Sequence, residues 1–469
     1  MLTETAFEDS RLSFWLRVRE VAVPPSMIET ATARRTAGDW AGACAAAGVD
    51  VDLDLRTVGR VHGGALAARV RTDLRLLAPD LLRWHMPRTG PDGFLRPGTA
   101  LTLARYDEPG RAHPVHLVAR TAPAWADGGQ RISLAVRGGP GSPDTGAWPA
   151  GYRTPDRRFR LDLHRHLWDA SRSAELRVRG GADGPPLRYA PEWASSVPGP
   201  GRFALGRWAA EAALLLATEG RAGGGRVAVR LGARRRLVLD VRVSPGGSGA
   251  GGGTPEVRSA EVTRSGAGSG LPVLPDAATW VPPDLELLRS GCLAPGRLHP
   301  LVAAALAPGT PVSTGAPAGG EDAVPRVVDC RGARHRIGLV DGVLVALDHG
   351  PDEIRREELL AALTGTPLPC LQVIDIAHRR PGCLDDVRER LAHGDTAGAL
   401  SRVEDLIGAG ALLRDGELRD LLHEAARQRV THGLFRAGLA DPGPKESLAG
   451  TARRTERLHR TRPRQAATR

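Results

Sequence analysis

Apolar residues change their spacing along this 469-residue chain, and the changes restrict its fold more than any single motif does. Between residues 27 and 90 they recur every three or four positions, which predicts amphipathic helices. From about 94 to 243 they alternate with polar residues in short runs, which predicts strands around one helix at 203–220. The predicted strands are ALTLARY, VHLVART, ISLAVRG, FRLDLH, AELRVRG, RVAVRL and RLVLDVRV. This order predicts an α+β multidomain protein with an N-terminal helical segment, a β-rich middle and a C-terminal β-meander plus helices.

Breaks in composition divide the chain further. Residues 244–272 are rich in Gly and Ser and too poor in apolar side chains to support a core, and a Pro/Gly-rich break follows near 307–325. The predicted segments are a helical segment (1–93), a β-rich domain with one helix (94–243), a linker or long loop (244–272), a short helical connector with a Pro/Gly-rich end (273–324), a β-meander plus helical module (325–440) and a disordered basic tail (441–469).

The net charge of +11 is concentrated at the C-terminus. Residues 445–469 carry eight basic and two acidic side chains, which leaves only +5 for the rest of the chain. A basic tail of this kind can bind nucleic acid or an acidic partner, because cationic side chains displace counterions from phosphates. The candidate binding residues are Lys445, Arg453, Arg454, Arg457, Arg460, Arg462 and Arg464.

Lysine is nearly absent, and this excludes several chemistries. The one lysine is Lys445, and the other 63 basic residues are arginines, a composition typical of a GC-rich gene. Residues 1–444 therefore cannot contain a nucleotide-binding phosphate loop, a kinase-type strand lysine or a Schiff-base lysine.

The cysteines indicate a reducing compartment. There are five, widely spaced and without a C-x-x-C pair, which is not a disulfide framework or a zinc ribbon. The N-terminus has no apolar run of signal-peptide type, and no stretch is long and apolar enough to span a bilayer. We expect a cytoplasmic protein that has no membrane segment and no cofactor.

The stretch RVVDCRGARHRIGLVDGVLVALDHG, residues 326–350, predicts three short strands joined by tight turns. Asp341-Gly342 suits a type I′ turn, which pairs Leu339 with Leu344 and extends to His335 opposite Asp348. Gly332-Ala333 suits a type II′ turn, which places Cys330 opposite His335. A three-residue loop, with Asp329 opposite His335, would make poorer cross-strand pairs.

This register places Cys330, His335 and Asp348 on one face, in the order that a thiol nucleophile, its base and an orienting carboxylate require. They are the candidate catalytic residues of a thiol hydrolase or transferase. The alternative interpretation is a core cysteine beside a histidine satisfied by an aspartate, since the neighbours on that face are Ile and Leu. His349 is expected on the opposite face, so no metal site is predicted.

Three functions are compatible with these patterns. The first is a non-catalytic intracellular interaction or accessory protein that binds other proteins through its modules, since no recognisable catalytic signature is present. The second is the Cys-His-Asp hydrolase or transferase. The third is a nucleic-acid-associated protein that acts through the basic tail.

Overall fold

The computed structural model describes residues 2–108, 113–138, 155–183, 193–194, 197, 199–232, 235–244, 254–264, 270–309, 327–330, 332–365, 368–379 and 381–440. Its elements follow the expected α+β order, with helices first, sheets in the middle and strands plus helices at the end. The predicted tail, 441–469, lies outside the described residues. No helix of the described part is long and apolar enough to cross a bilayer.

The N-terminal part folds mainly into helices, as its spacing predicts. They are α1 (Leu2–Val21), α2 (Pro25–Thr36), α3 (Trp40–Ala46), α4 (Leu55–His62), α5 (Gly64–Leu76) and α6 (Pro79–His85), with the short strands β1 (Val49–Val51), β2 (Arg88–Thr89) and β3 (Phe94–Leu95) between and after them. The helix α3 begins at Asp39, whose carboxylate accepts a hydrogen bond from the backbone N–H of Gly42 at 2.8 Å.

A four-stranded sheet lies against these helices. Its strands are β4 (Ala100–Tyr106), β5 (Val115–Thr121) and β6 (Ile132–Arg137), joined by β1 in the order β1-β6-β5-β4. Only β1 is parallel to its neighbour, and it comes from the segment predicted to be helical. The main core fills the space between this sheet and the helices, with Trp84, Trp168 and Leu103 almost fully buried.

Two of the predicted strands are wrong. FRLDLH forms a turn with a single bridge, between Arg160 and Thr102 of the edge strand β4, because the N–H groups of Leu163 and His164 bond carbonyls within the segment itself. AELRVRG instead forms part of a 3₁₀ helix and α7 (Leu176–Arg179), and its Val178 is exposed, so the alternation does not mark a buried face.

The second sheet packs on a single helix. The helix is α8 (Leu205–Thr218), and the strands β7 (Gly224–Arg230), β8 (Arg235–Ser244) and β9 (Thr254–Arg264) form an antiparallel sheet in that order. The prediction of a linker or long loop at 244–272 is therefore wrong for β9. Its alternating sequence TPEVRSAEVTR pairs along the whole of β8, which satisfies the backbone groups that face that strand.

Among the described residues after β9, the regular elements are helices and one small sheet. The connector forms α9 (Asp276–Thr279), α10 (Pro283–Arg289) and α11 (Pro300–Leu306), and the C-terminal part forms β10 (Val327–Cys330), β11 (Ala333–Val340), β12 (Val343–Ala346), α12 (Pro351–Thr364), α13 (Pro369–Arg379), α14 (Leu384–Ala392), α15 (Thr396–Ile407) and α16 (Glu417–Arg436). Short 3₁₀ helices occur at Ala124–Ala126, Arg165–Leu167, Ala170–Glu175, Pro200–Arg202 and Pro295–Arg297. The other segment boundaries given above stay predictions.

The last helix contacts the first sheet, although most of the sequence lies between them. In α16, His432 Nε2 lies 3.2 Å from Asp50 Oδ2 of β1, and the Arg436 guanidinium is 3.0 Å from the same carboxylate. Arg436 also bonds Asp52, the residue that directly follows β1. These ion pairs join segments that the sequence treats as separate modules.

A buried arginine makes a second connection of this kind. Arg83 of α6 donates to the carbonyls of Ala22, Gln130 and His393, the last two at 2.6 Å each. His393 belongs to the turn between α14 and α15, next to Gly394. One side chain therefore links the N-terminal helices, the first sheet and the C-terminal helices.

Candidate metal centre

The first hairpin of the C-terminal module positions Cys330 and His335. In β10 and β11, Cys330 pairs with Ala333 and Val328 pairs with His335, so the predicted pairing of Cys330 with His335 is wrong by two residues. The three-residue alternative is also wrong. Gly332 is the second residue of the turn rather than the first, and its φ of +84° suits that place.

The second hairpin has the predicted register. Leu339 pairs with Leu344, and the turn residues Asp341 and Gly342 have φ values of 51° and 77°, as a type I′ turn requires. The strand β12 ends at Ala346, however, and the next three residues turn away from the sheet.

Asp348 follows that end and is bound by Arg336 rather than by His335. Its carboxylate accepts from the Arg336 backbone N–H at 2.6 Å and from the guanidinium at 2.7 Å. The hydrogen bonds from Arg336 lower the pKa of Asp348 to about 2. The structure thus brings together Cys330 and His335 of the predicted triad but gives Asp348 a different partner.

His349 takes the position next to His335. Its Nε2 lies 2.5 Å from His335 Nδ1, and the ring centroids are 4.1 Å apart at 80°. The prediction that His349 faces the other side of the sheet is wrong, because the alternation of side chains ends with the strand at Ala346.

A fourth side chain comes from the start of a helix. Pro369 occupies the first position of α13, where its missing N–H costs no hydrogen bond, and Cys370 follows it. Since α13 packs on β10 and β12, the Cys370 Sγ lies 3.6 Å from the Cys330 Sγ.

Cys330, His335, His349 and Cys370 form a cluster, which we call the Cys-His cluster. Their donor atoms all lie within 4.8 Å of one another. No other set of three or more such side chains converges in this way among the described residues.

The donor set and its spacing fit zinc. Tetrahedral Zn²⁺ bound by two thiolates and two imidazoles, with Zn–S of about 2.3 Å and Zn–N of about 2.0–2.1 Å, needs sulfurs about 3.8 Å apart and nitrogens about 3.3 Å apart. The sulfurs are already 3.6 Å apart. The two nitrogens, at 2.5 Å, would separate by about 0.8 Å around an ion.

The surroundings of the cluster are apolar and nearly dry. Cys330 is 1% exposed and Cys370 is fully buried, in a small core with Ile337, Leu344 and Ile374. Burial and the neighbouring Cys330 thiol raise the pKa of Cys370 to about 11, so the Cys370 thiol is neutral and weakly nucleophilic at neutral pH unless a metal displaces its proton.

A carboxylate supports the cluster from outside. His349 presents Nε2 to the cluster, and its Nδ1 lies 3.3 Å from the Glu353 carboxylate in the first turn of α12. Metal-binding histidines commonly have a carboxylate or carbonyl at the second ring nitrogen, which fixes the tautomer and the orientation of the ring.

The sequence alone identified half of this cluster. It missed His349, which it placed on the wrong face, and Cys370, which lies 40 residues after Cys330 on a helix. The sequence signal for a metal site was the pair Cys330-x₄-His335 followed by His349. A tetrahedral site built on these three residues needs a fourth ligand from a distant segment. The seven tail residues from Lys445 to Arg464 lie outside the described residues.

Comparison of the chain with protein-family models, with curated proteins and with solved structures finds no match.

Proposed function

We propose that this chain is a non-catalytic interaction protein whose C-terminal module, residues 327–379, is held together by one zinc ion. The observation that carries the proposal is the convergence of four donor atoms of the Cys-His cluster within 4.8 Å. Four protein ligands complete a tetrahedral shell and leave no position for a substrate, which is the pattern of structural rather than catalytic zinc.

The module benefits from a metal because its own core is small. It consists of a three-stranded sheet and α13, and two of its buried residues are the ligands Cys330 and Cys370 themselves. Cores of this size rarely stabilise a fold alone, and a structural metal is one of the usual remedies. The zinc ion would join β10 and β11 to the segment just before α12, which carries His349, and to the start of α13.

The position of the cavities argues against catalysis at the Cys-His cluster. Three open cavities of about 390 to 550 Å³ are lined by residues of the N-terminal and β-rich parts, and none is lined by the Cys-His cluster. A protein partner is favoured by Leu359 and Leu363 of α12, which are 63% and 85% exposed. A cytoplasmic location belongs to the proposal, because a reducing compartment keeps both thiols available to the metal.

Metal analysis of the purified full-length chain tests the zinc site. We expect one zinc per chain in the wild type and in Cys383→Ser, whose thiol is also buried but lies outside the cluster. Cys370→Ser and His349→Ala should lose the metal, and chelation should accelerate hydrogen exchange in 327–379 of the wild type. Equal zinc content in Cys370→Ser and the wild type would contradict the proposal.

Two further measurements separate the proposal from a thiol enzyme. Cys330 should react with iodoacetamide only after chelation or unfolding, whereas a catalytic thiolate reacts at once in the native protein. Affinity purification of the wild type beside Cys370→Ser should recover partners that depend on the metal. A Cys330 that reacts faster than free cysteine in the native chain would favour the hydrolase instead.

A further inference from the structure

The two sulfur ligands of the Cys-His cluster are in contact with each other. The Cys330 and Cys370 Sγ atoms are 3.6 Å apart. A disulfide needs the sulfurs at about 2.05 Å, so each has to move by less than about 1 Å along the line that joins them. The same two sulfur atoms can therefore either bind a zinc ion or form a disulfide with each other.

We propose that hydroperoxides release the zinc ion by joining Cys330 and Cys370 in a disulfide, which makes the site a redox-controlled one. This inference rests on the zinc site proposed above.

The chemistry balances in two steps. One thiolate attacks hydrogen peroxide, the O–O bond breaks, and the products are a sulfenic acid and hydroxide. The second thiolate then attacks that sulfur, the S–O bond breaks, and a disulfide and a second hydroxide form. The two cysteines lose two electrons in total, and the peroxide gains them.

The zinc ion would be released because the disulfide removes two of its four ligands at once. After oxidation only His335 and His349 remain, and two imidazoles without thiolates do not complete a tetrahedral zinc shell. The cluster has no third cysteine among its members that could substitute.

The fold favours a reversible change. Cys330 ends β10 and Cys370 begins α13, and α13 packs on β10. A disulfide would close the same contact that the metal closes, so the module would stay assembled until a reductant and zinc restore the first state. His335 is half-buried, so the cluster reaches solvent at this ligand.

The test uses the zinc-loaded full-length chain with Cys292→Ser, which removes an exposed thiol able to form disulfides between chains. We expect hydrogen peroxide to release one zinc per chain with the loss of two thiols, and peptide mapping to show the Cys330–Cys370 disulfide. A thiol reductant followed by zinc should restore the original zinc content.

A matched variant and the wild type provide the controls. Cys330→His keeps four donors but has one sulfur, so peroxide should release its zinc at least about tenfold more slowly, because no intramolecular disulfide can form. In the wild type, Cys292 reports that the peroxide is active. Zinc that stays bound while Cys292 is oxidised, or zinc that leaves without the Cys330–Cys370 disulfide, would overturn this inference and leave the zinc site standing. A chain purified without zinc would overturn both.

Discussion

Replacing Asp50 with Asn tests whether the C-terminal helices are docked on the first sheet. Asp50 lies in β1, is 10% exposed at its side chain, and contacts two arginines and one histidine. Arg131 binds it from the sheet at 2.7 Å, while His432 at 3.2 Å and Arg436 at 3.0 Å bind it from α16. Asparagine keeps the size of the side chain and removes its charge.

The expected cost follows from burial. Removing one partner of a fully buried ion pair costs about 3–5 kcal/mol. Arg131 and Arg436 are 22% and 30% exposed, so water screens part of the loss and we expect about 2–4 kcal/mol in total. We assign about 2 kcal/mol of this to the contact with α16, which corresponds to about thirtyfold faster exchange of its amide hydrogens.

The effect should depend on pH in one direction. Burial opposes the ionisation of Asp50, but hydrogen bonds from Arg131 and His432 outweigh it and hold the pKa of Asp50 well below its usual range. A lowered pKa contributes stability above the unfolded value of about 3.9 and loses it as the pH falls. The difference between the wild type and Asp50→Asn should be present at neutral pH and shrink below about pH 4.

Hydrogen exchange of α16 peptides is the assay, with Asp54→Asn as the matched control. Asp54 lies just after β1 and caps α4 through the backbone N–H groups of Arg56 and Thr57. Its loss should affect α4 and leave α16 unchanged. If exchange in α16 is the same in Asp50→Asn as in the wild type, or rises equally in Asp54→Asn, the docking of α16 on β1 is refuted.

Two other changes have defined outcomes. A Cβ at Gly394, where φ is +84°, would clash with the Gly129 carbonyl oxygen. Gly394→Ala should therefore lower the free energy of unfolding by about 2–4 kcal/mol, measured by thermal unfolding. Gly438→Ala is the control: its φ is +69° but the space around it is open, so it should lower the free energy of unfolding by about 1 kcal/mol. The nucleic-acid hypothesis of the sequence analysis predicts that the full-length chain binds RNA or DNA with a steep salt dependence in a fluorescence anisotropy titration, and that deletion of residues 441–469 abolishes this binding. Binding that survives the deletion with the same salt dependence would remove the nucleic-acid hypothesis.

Helix caps and tight turns depend on residues that are adjacent in the sequence, and these parts of the fold could be predicted. The pattern Gly-Asp-x-Ala-Gly-Ala occurs at 38–43 and 394–399, and in both places the sequence predicts a helix that ends at Gly and one that the Asp caps. Asp39 and Asp395 do cap α3 and α15, by accepting from the N–H two residues beyond the start of each helix. The type I′ turn at Asp341-Gly342 is confirmed for the same reason, since the two residues alone determine it.

The partners of strands that pair with distant segments were missed. The alternation in GVDVDLDLR predicts a short strand or turn at β1, but nothing there indicates β6, some 80 residues later, as its neighbour. The strand β9 has few apolar residues, lies in a segment predicted to be a linker or long loop, and forms because β8 pairs with it throughout. No pattern within either segment indicates the partner.

The prediction that Cys330 and His335 are neighbours was useful although its register was wrong. The observed register differs by two residues, and side chains alternate with a period of two along a strand. A shift by an even number keeps every side chain on its face, so Cys330 and His335 remain on one side, in diagonal rather than opposite positions. A shift by one residue would have separated them completely.

From the sequence, the apolar neighbours of Cys330 and His335 favour a packed core over a functional site. A structural zinc site, however, needs a dry shell that excludes water and holds each ligand in place, and Ile337, Leu344 and Ile374 provide one. Burial of a cysteine and a histidine together is therefore compatible with both interpretations. They differ in whether further donors converge on the same point, and His349 and Cys370 do so. Because Cys370 reaches that point only through the packing of α13 on the small sheet, tertiary structure had to supply the decisive observation.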